Sequence, residues 1–171
     1  RAAGADWRDG QWHNEDVDAL IQASNVAAPA NWVCPYLLPE PIAPHIAAAR
    51  QGVTLSLELL HERFTRLQGL ADAVVVEGAG GFLVPLDDSR TLGDLAQRLA
   101  IPVVLVVGMR LGCINHALLS AQAIQACGLS LAGWVANTLD ADMPAFGENI
   151  AFLRQRLPAP CWGVLPWLSM T

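Results

Sequence analysis

Val74-Val75-Val76-Glu77-Gly78-Ala79-Gly80-Gly81 packs a β-branched run, an acid and three glycines into eight residues. The valines, with Ala73 ahead of them, predict a buried strand over Ala73–Val76. Glu77 stands where that strand stops, and the glycines clear side chains from the space beyond. Open parallel sheets bind ligands just past the carboxyl ends of their strands. An acid facing stripped backbone there suits a metal–phosphate site. It also suits a Gly-rich turn with Glu77 merely solvated.

Outward from this octapeptide, strands and helices alternate. Upstream, Leu57, Leu60, Phe64 and Leu67 share one face of a predicted helix, Leu55–Leu70. Downstream, Thr91–Leu99 reads as a helix, with Thr91 as cap and Asp94 three residues on as a capping-box variant. Pro102–Val107 reads as a fully buried parallel strand. Asn115–Ala126 is a helix closed by Gly128, Leu131–Ala136 a strand, Pro144–Leu157 a helix with proline at its start, and Cys161–Leu165 a last strand. Such alternation implies βαβ units and a parallel sheet covered on both faces, an α/β fold. The first fifty residues differ. They hold a short helix near Asp16–Ala23, then a stretch where Pro29, Pro35, Pro39, Pro41 and Pro44 exclude regular helix or central strand. A rigid loop is expected there.

Composition sets the frame. With 171 residues, 53% hydrophobic and 15% charged, the chain reads as one globular domain, residues 1–171. The longest apolar run, about Ala100 to Val107, is short of the roughly 20 residues that span a membrane. No apolar signal segment opens the chain. Cys34, Cys113, Cys127 and Cys161 are widely spaced with no C-x-x-C, which predicts reduced thiols and a cytoplasmic protein. The net charge is −6, and all ten basic residues are arginines, scattered without a stripe, so no nucleic-acid partner is expected.

Four predicted strand ends carry something beyond a plain turn: Glu77 to Gly81, Gly108 to His116, Asn137 to Asp140, and Pro166 to Leu168. One edge of a parallel sheet brings them together. The Asn137 amide matches the N6/N7 edge of adenine, or closes an Asx-turn. Gly112 to His116 opens a helix whose free N–H groups suit a carboxylate, or Asn115 simply caps it. Cys113 reads as a nucleophile or a small buried thiol. His45 and His116 read as structural. Asp16, in Asn14-Glu15-Asp16-Val17-Asp18, can share a hard cation with Glu77, or these acids serve the helix dipole.

Val-Glu-Gly-Ala-Gly-Gly-Phe-Leu-Val-Pro-Leu (76–86), Gly-Met-Arg-Leu-Gly-Cys-Ile-Asn-His-Ala (108–117) and Ala-Gly-Trp-Val-Ala-Asn (132–137) together closely resemble the dethiobiotin synthetases. Residues 35–45 and 158–168 fit in the same order. The resemblance implies a P-loop NTPase-like fold: a doubly wound parallel sheet in three layers, α/β/α. It implies closure of the ureido ring of dethiobiotin from 7,8-diaminopelargonic acid, CO2 and Mg-ATP, through a carbamate that ATP phosphorylates. By position, Glu77 resembles a catalytic and Mg2+-binding carboxylate. Asp16 resembles its partner, with Asp18 as the alternative. Asn137 resembles the adenine reader, with Pro166 and Leu168 in the same pocket, and Gly80 a backbone contact near the reacting centre. Gly112, Cys113 and Asn115 resemble the loop holding the substrate carboxylate across a homodimer interface. The family opens with a strand, a loop ending Gly-Lys-Thr and a second lysine-bearing strand; this chain has no lysine and no G-x-x-x-x-G-K-[ST]. An N-terminally truncated piece, lacking its first strand and P-loop and inactive or weak by itself, is therefore expected. Two alternatives stand beside it. One is a non-catalytic dimerisation or regulatory module. The other, a cobyrinic acid a,c-diamide synthase, is disfavoured by Gly-Cys-Ile-Asn-His and by the short chain.

Overall fold

The computed structural model describes residues 2–8, 10–78 and 80–168, so Ala79 of the octapeptide lies outside the described residues. The chain divides into two compact units, residues 1–99 and 100–171.

The second unit follows the predicted alternation: β5 (Val103–Met109), α6 (Cys113–Ala126), β6 (Leu131–Thr138), α7 (Phe146–Arg156) and β7 (Cys161–Leu165). Its three strands are parallel in the order β5-β6-β7, with Gly108 beside Asn137 and Asn137 beside Leu165. Alternation along the strands turns Val107, Met109, Trp134 and Ala136 to one face. There they pack with Cys113, Ala117 and Ala121 of α6 and with Ile150 and Leu153 of α7. Trp134 and Met109 are fully buried in this cluster. The i, i+4, i+8 spacing of small residues on α6 brings that helix close to the sheet.

The expectation of a sheet covered on both faces is corrected here. Both helices of the unit feed the one core, and the opposite face leaves Val104, Val106 (61% exposed) and Trp162 in the open. β5 is therefore buried on one face only, and it lies at the edge of the sheet. The α7 boundary also moves. Ala145 takes a left-handed conformation (φ 54°) as helix cap, which puts Pro144 outside the helix it was expected to start.

The first unit holds β1 (Ala2–Ala3), β2 (Asp6–Arg8), β3 (Gln11–His13), α1 (Glu15–Ala23), α2 (Ala30–Val33), β4 (Leu37–Leu38), α3 (Pro44–Arg50), α4 (Leu57–Gln68) and α5 (Leu92–Leu99). β1 pairs with β4 in parallel, and β2 with β3 as an antiparallel hairpin. Leu38, Ala47, Ala48, Leu55, Leu57 and Leu86 form its core. The proline-rich stretch is more regular than expected. Pro44 begins α3 at a position whose N–H a helix does not need, and Leu37–Leu38 form a short ladder. The capping box holds: Thr91 Oγ1 accepts from Gly93 N (3.1 Å), while Asp94 Oδ2 accepts from Thr91 N (2.7 Å).

The strand expected over Ala73–Val76 is not there. These residues form no ladder among the described residues, and Val75 is 88% exposed. β-branched composition favours an extended, half-buried surface but does not provide the hydrogen-bonding neighbour that makes a strand.

Gly133 in β6 tests the packing of the second unit. A methyl built on it would overlap the indole ring of Trp162 in β7. Gly133→Ala is expected to destabilise by about 1 kcal/mol, the low end for overpacking, because Trp162 is part-exposed and can yield. Thermal melts of Gly133→Ala, Trp162→Ala and the double variant check this. The double variant should be less destabilised than the sum of the two single changes, and strict additivity would refute the clash.

Candidate functional site

The first unit contains a cavity of about 880 Å3. Leu60, Phe64 and Leu67 of α4 form one wall, Leu92, Leu95 and Leu99 of α5 another, and Val17, Leu20 and Ile21 of α1 a third; residues 73–78 run along it. Its charged lining residues are Asp16, Glu77 and Arg63. Two carboxylates and one guanidinium thus sit in mostly apolar walls, with Ser24 and Asn25 also lining them.

Asp16 and Glu77 reach this cavity by different routes. Asp16 lies in the first turn of α1, and the 16, 17, 20, 21 spacing puts it on the helix face that lines the cavity. Asp18 is not a lining residue; it pairs with His13 Nδ1 at 3.6 Å. Glu77 is exposed and follows the unpaired Val74–Val76 run, so it does not terminate a sheet strand as expected. Gly80 follows in a turn at φ 85°, with Val84 Cγ2 close by. Leu92 of α5 approaches Gly78. Among the described residues no group of three or more His, Cys, Asp or Glu side chains is placed to hold a metal. A two-carboxylate site is the kind magnesium uses, since it keeps waters and takes phosphate oxygens for the rest.

Arg63 escaped the sequence reading. It lies three residues after Leu60 and four before Leu67, on the apolar stripe of α4. An arginine on such a stripe was the available signal. Its Nε is buried and donates to no described acceptor.

In the second unit the predicted convergence holds for three strand ends. The parallel register aligns the carboxyl ends of β5, β6 and β7. Half-buried Asn137 lies there, with exposed Pro166 and Leu168 just past β7 and Gly112 just past β5. Thr138 Oγ1 donates to Leu165 O at 2.6 Å, tying the β6 and β7 ends together. Gly112, at φ 92°, is the cap of α6 and provides no side-chain hydrogen bond, which only glycine does without strain. Asn115 is therefore inside the helix and not its cap. Cys113 is 2% exposed within the core, and its N–H donates to Arg110 O. It is a packed thiol with no exposed sulfur, so the nucleophile reading is set aside.

Residues 7–171 match the family model described as an AAA domain, which gives the class: an α/β domain of the P-loop NTPase-like kind. Among curated proteins, the chain is 53% identical over 158 residues to the ATP-dependent dethiobiotin synthetase BioD of Janthinobacterium sp. (strain Marseille), covering 92% of this chain and 67% of that one. It is 51% identical over 168 residues to the protein of that name from Aromatoleum aromaticum (98% and 75%), and 52% identical over 165 residues to the one from Xylella fastidiosa (96% and 73%). The chain belongs to the dethiobiotin synthetase family, a family of ATP-dependent ligases.

The α5 wall of the cavity depends on ionised carboxylates. Asp94 lies below the usual carboxylate range because it accepts from the Thr91 backbone and then from the Thr91 hydroxyl. Asp87, in the turn before α5, is held well below that range by the Ser89 N–H and by Arg90. For a depressed folded-state pKa, the stabilisation is complete above the unfolded value of about 4 and is lost as pH falls through the folded one. Melting temperature should therefore fall below about pH 4. In Asp94→Asn this acid dependence should be shallower and the neutral-pH stability lower; an unchanged acid limb would remove Asp94 from the account.

Proposed function

We propose that this chain is the larger part of an enzyme that closes the ureido ring of dethiobiotin from 7,8-diaminopelargonic acid, CO2 and ATP. One amine takes up CO2 and loses a proton, giving a carbamate. A carbamate oxygen attacks the γ-phosphorus of ATP and ADP leaves, giving a carbamic–phosphoric anhydride. The second amine then attacks the carbonyl carbon and phosphate leaves. The observation that carries this reading is 51–53% identity to named synthetases over at least 92% of the chain. The cavity shared by Asp16 and Glu77 supports it.

In this reading Asp16 and Glu77 hold Mg2+, Asp16 being preferred to Asp18 because it lines the cavity and Asp18 does not. Bound there, the ion would neutralise charge on the transferring phosphoryl group. The Gly80 backbone lies against the reacting centre. Asn137 reads adenine through its paired donor and acceptor, and Pro166 and Leu168 cover the base. Gly112, Cys113 and Asn115 belong to the loop at the start of α6 that holds the substrate carboxylate, with the Asn115 amide as a donor, across a homodimer interface in a cytoplasmic enzyme. No lysine is present in these 171 residues, so in this reading the chain supplies the carboxylate side of the phosphate site. In the whole protein these parts form one P-loop domain with the first strand and P-loop in place.

The test is ring closure by the full-length protein. Glu77→Gln should lower kcat by about 100-fold, the scale for losing one group that stabilises transition-state charge. Loss of magnesium dependence without loss of rate would refute the metal role. Asn137→Ala should reduce the preference for ATP over GTP about tenfold, and an unchanged ratio would remove it from the base pocket. The 171-residue chain alone should show no ring closure. Monodisperse, cooperatively melting material that binds ATP tightly would overturn the view that it is a piece.

A further inference from the structure

Asn14 is the one polar side chain in the buried class among the described residues, at 7% exposed. A buried amide costs free energy unless its donors and acceptors are matched. Asn14 Oδ1 accepts from the N–H groups of Asp16 (3.1 Å) and Val17 (3.2 Å), and Nδ2 donates to Gly4 O at 3.4 Å. One side chain therefore fixes both the first turn of α1 and its attachment to the segment just after β1. That segment is tied in turn to the unit's core, because Ala5 N donates to Leu38 O.

The rotational position of α1 decides which acid faces the cavity. With the helix as capped, Asp16 lines it and Asp18 does not. Two residues separate these acids, about 200° around a helix, so a change in where the helix starts would exchange their directions. We propose that Asn14 is a positioning residue for the metal site: by capping α1 and anchoring it to Gly4, it aims the Asp16 carboxylate into the cavity shared with Glu77. This rests on the reading of Asp16 as a metal ligand.

Ser56 supplies the control. It caps α4 through the same kind of bond, accepting from Leu59 N at 3.2 Å, and α4 carries neither carboxylate. Mn2+ binding to full-length protein with a non-hydrolysable ATP analogue, followed by electron paramagnetic resonance of the free ion, gives a dissociation constant independent of turnover. Asn14→Gly should raise it at least fivefold, although glycine costs a helix cap little stability. Asn14→Ser, which keeps an acceptor for the two amides, should return it to within twofold of the parent. Ser56→Ala should lower the melting temperature and leave the constant within twofold. Hydrogen exchange at the Asp16 and Val17 amides should quicken in Asn14→Gly alone. Asp16→Asn in the same assay separates the two claims. If Asp16→Asn weakens Mn2+ and Asn14→Gly does not, the positioning role is overturned and the metal reading stands. If Asp16→Asn binds Mn2+ like the parent, the metal reading fails and the positioning role with it.

Discussion

Leu131–Thr138 is paired on both sides, by Val103–Met109 and by Cys161–Leu165, and the second unit depends on that central strand. Backbone N–H and C=O groups have to be satisfied wherever they are buried. The β6 strand meets this with two parallel ladders. Pairing fixes the register; register turns Trp134 and Ala136 toward α6 and α7 and lines up the strand ends that carry Gly112, Asn137 and Pro166. In the first unit the same requirement is met locally, by caps and short ladders. The organisation there comes from Asn14, Ser56 and the Thr91–Asp94 pair more than from a sheet.

Local interactions were the legible ones. Thr91 and Asp94 lie three residues apart, and the chemistry that joins them needs nothing from elsewhere. The strands of the second unit were legible because a continuous apolar run, bounded by proline or glycine and followed by a helical pattern, leaves few other topologies. Ala73–Val76 was misread because valine content is a property of the segment and a strand is a property of a pair. Pro44 was misread because proline both ends helices and begins them, and only the following residues distinguish the cases. The covering of the sheet was over-predicted for a related reason: alternation along the chain does not say on which face each helix packs.

The candidate site divides in the same way. The grouping of Asn137, Pro166 and Gly112 follows from parallel register, so strand assignment was enough to find it. That Asp16 rather than Asp18 shares a cavity with Glu77 depends on where α1 begins, set by a buried amide two residues upstream and by a carbonyl ten residues away. Family membership suggests the chemistry proposed for those positions, and the geometry separates the two acids only by which of them lines the cavity.

β5 has a further consequence. It offers seven residues without proline or formal charge along an unpaired edge, and Val104 and Val106 beside it face outward. Natural edge strands are usually blunted by charge, bulge or cover. This one has a register irregularity between Val103 and Val104 but no charge along it, so among the described residues its free backbone groups can still pair with another polypeptide. Strand addition is bimolecular, whereas unfolding is unimolecular. Concentration, more than temperature, would then set how long such a chain stays dispersed.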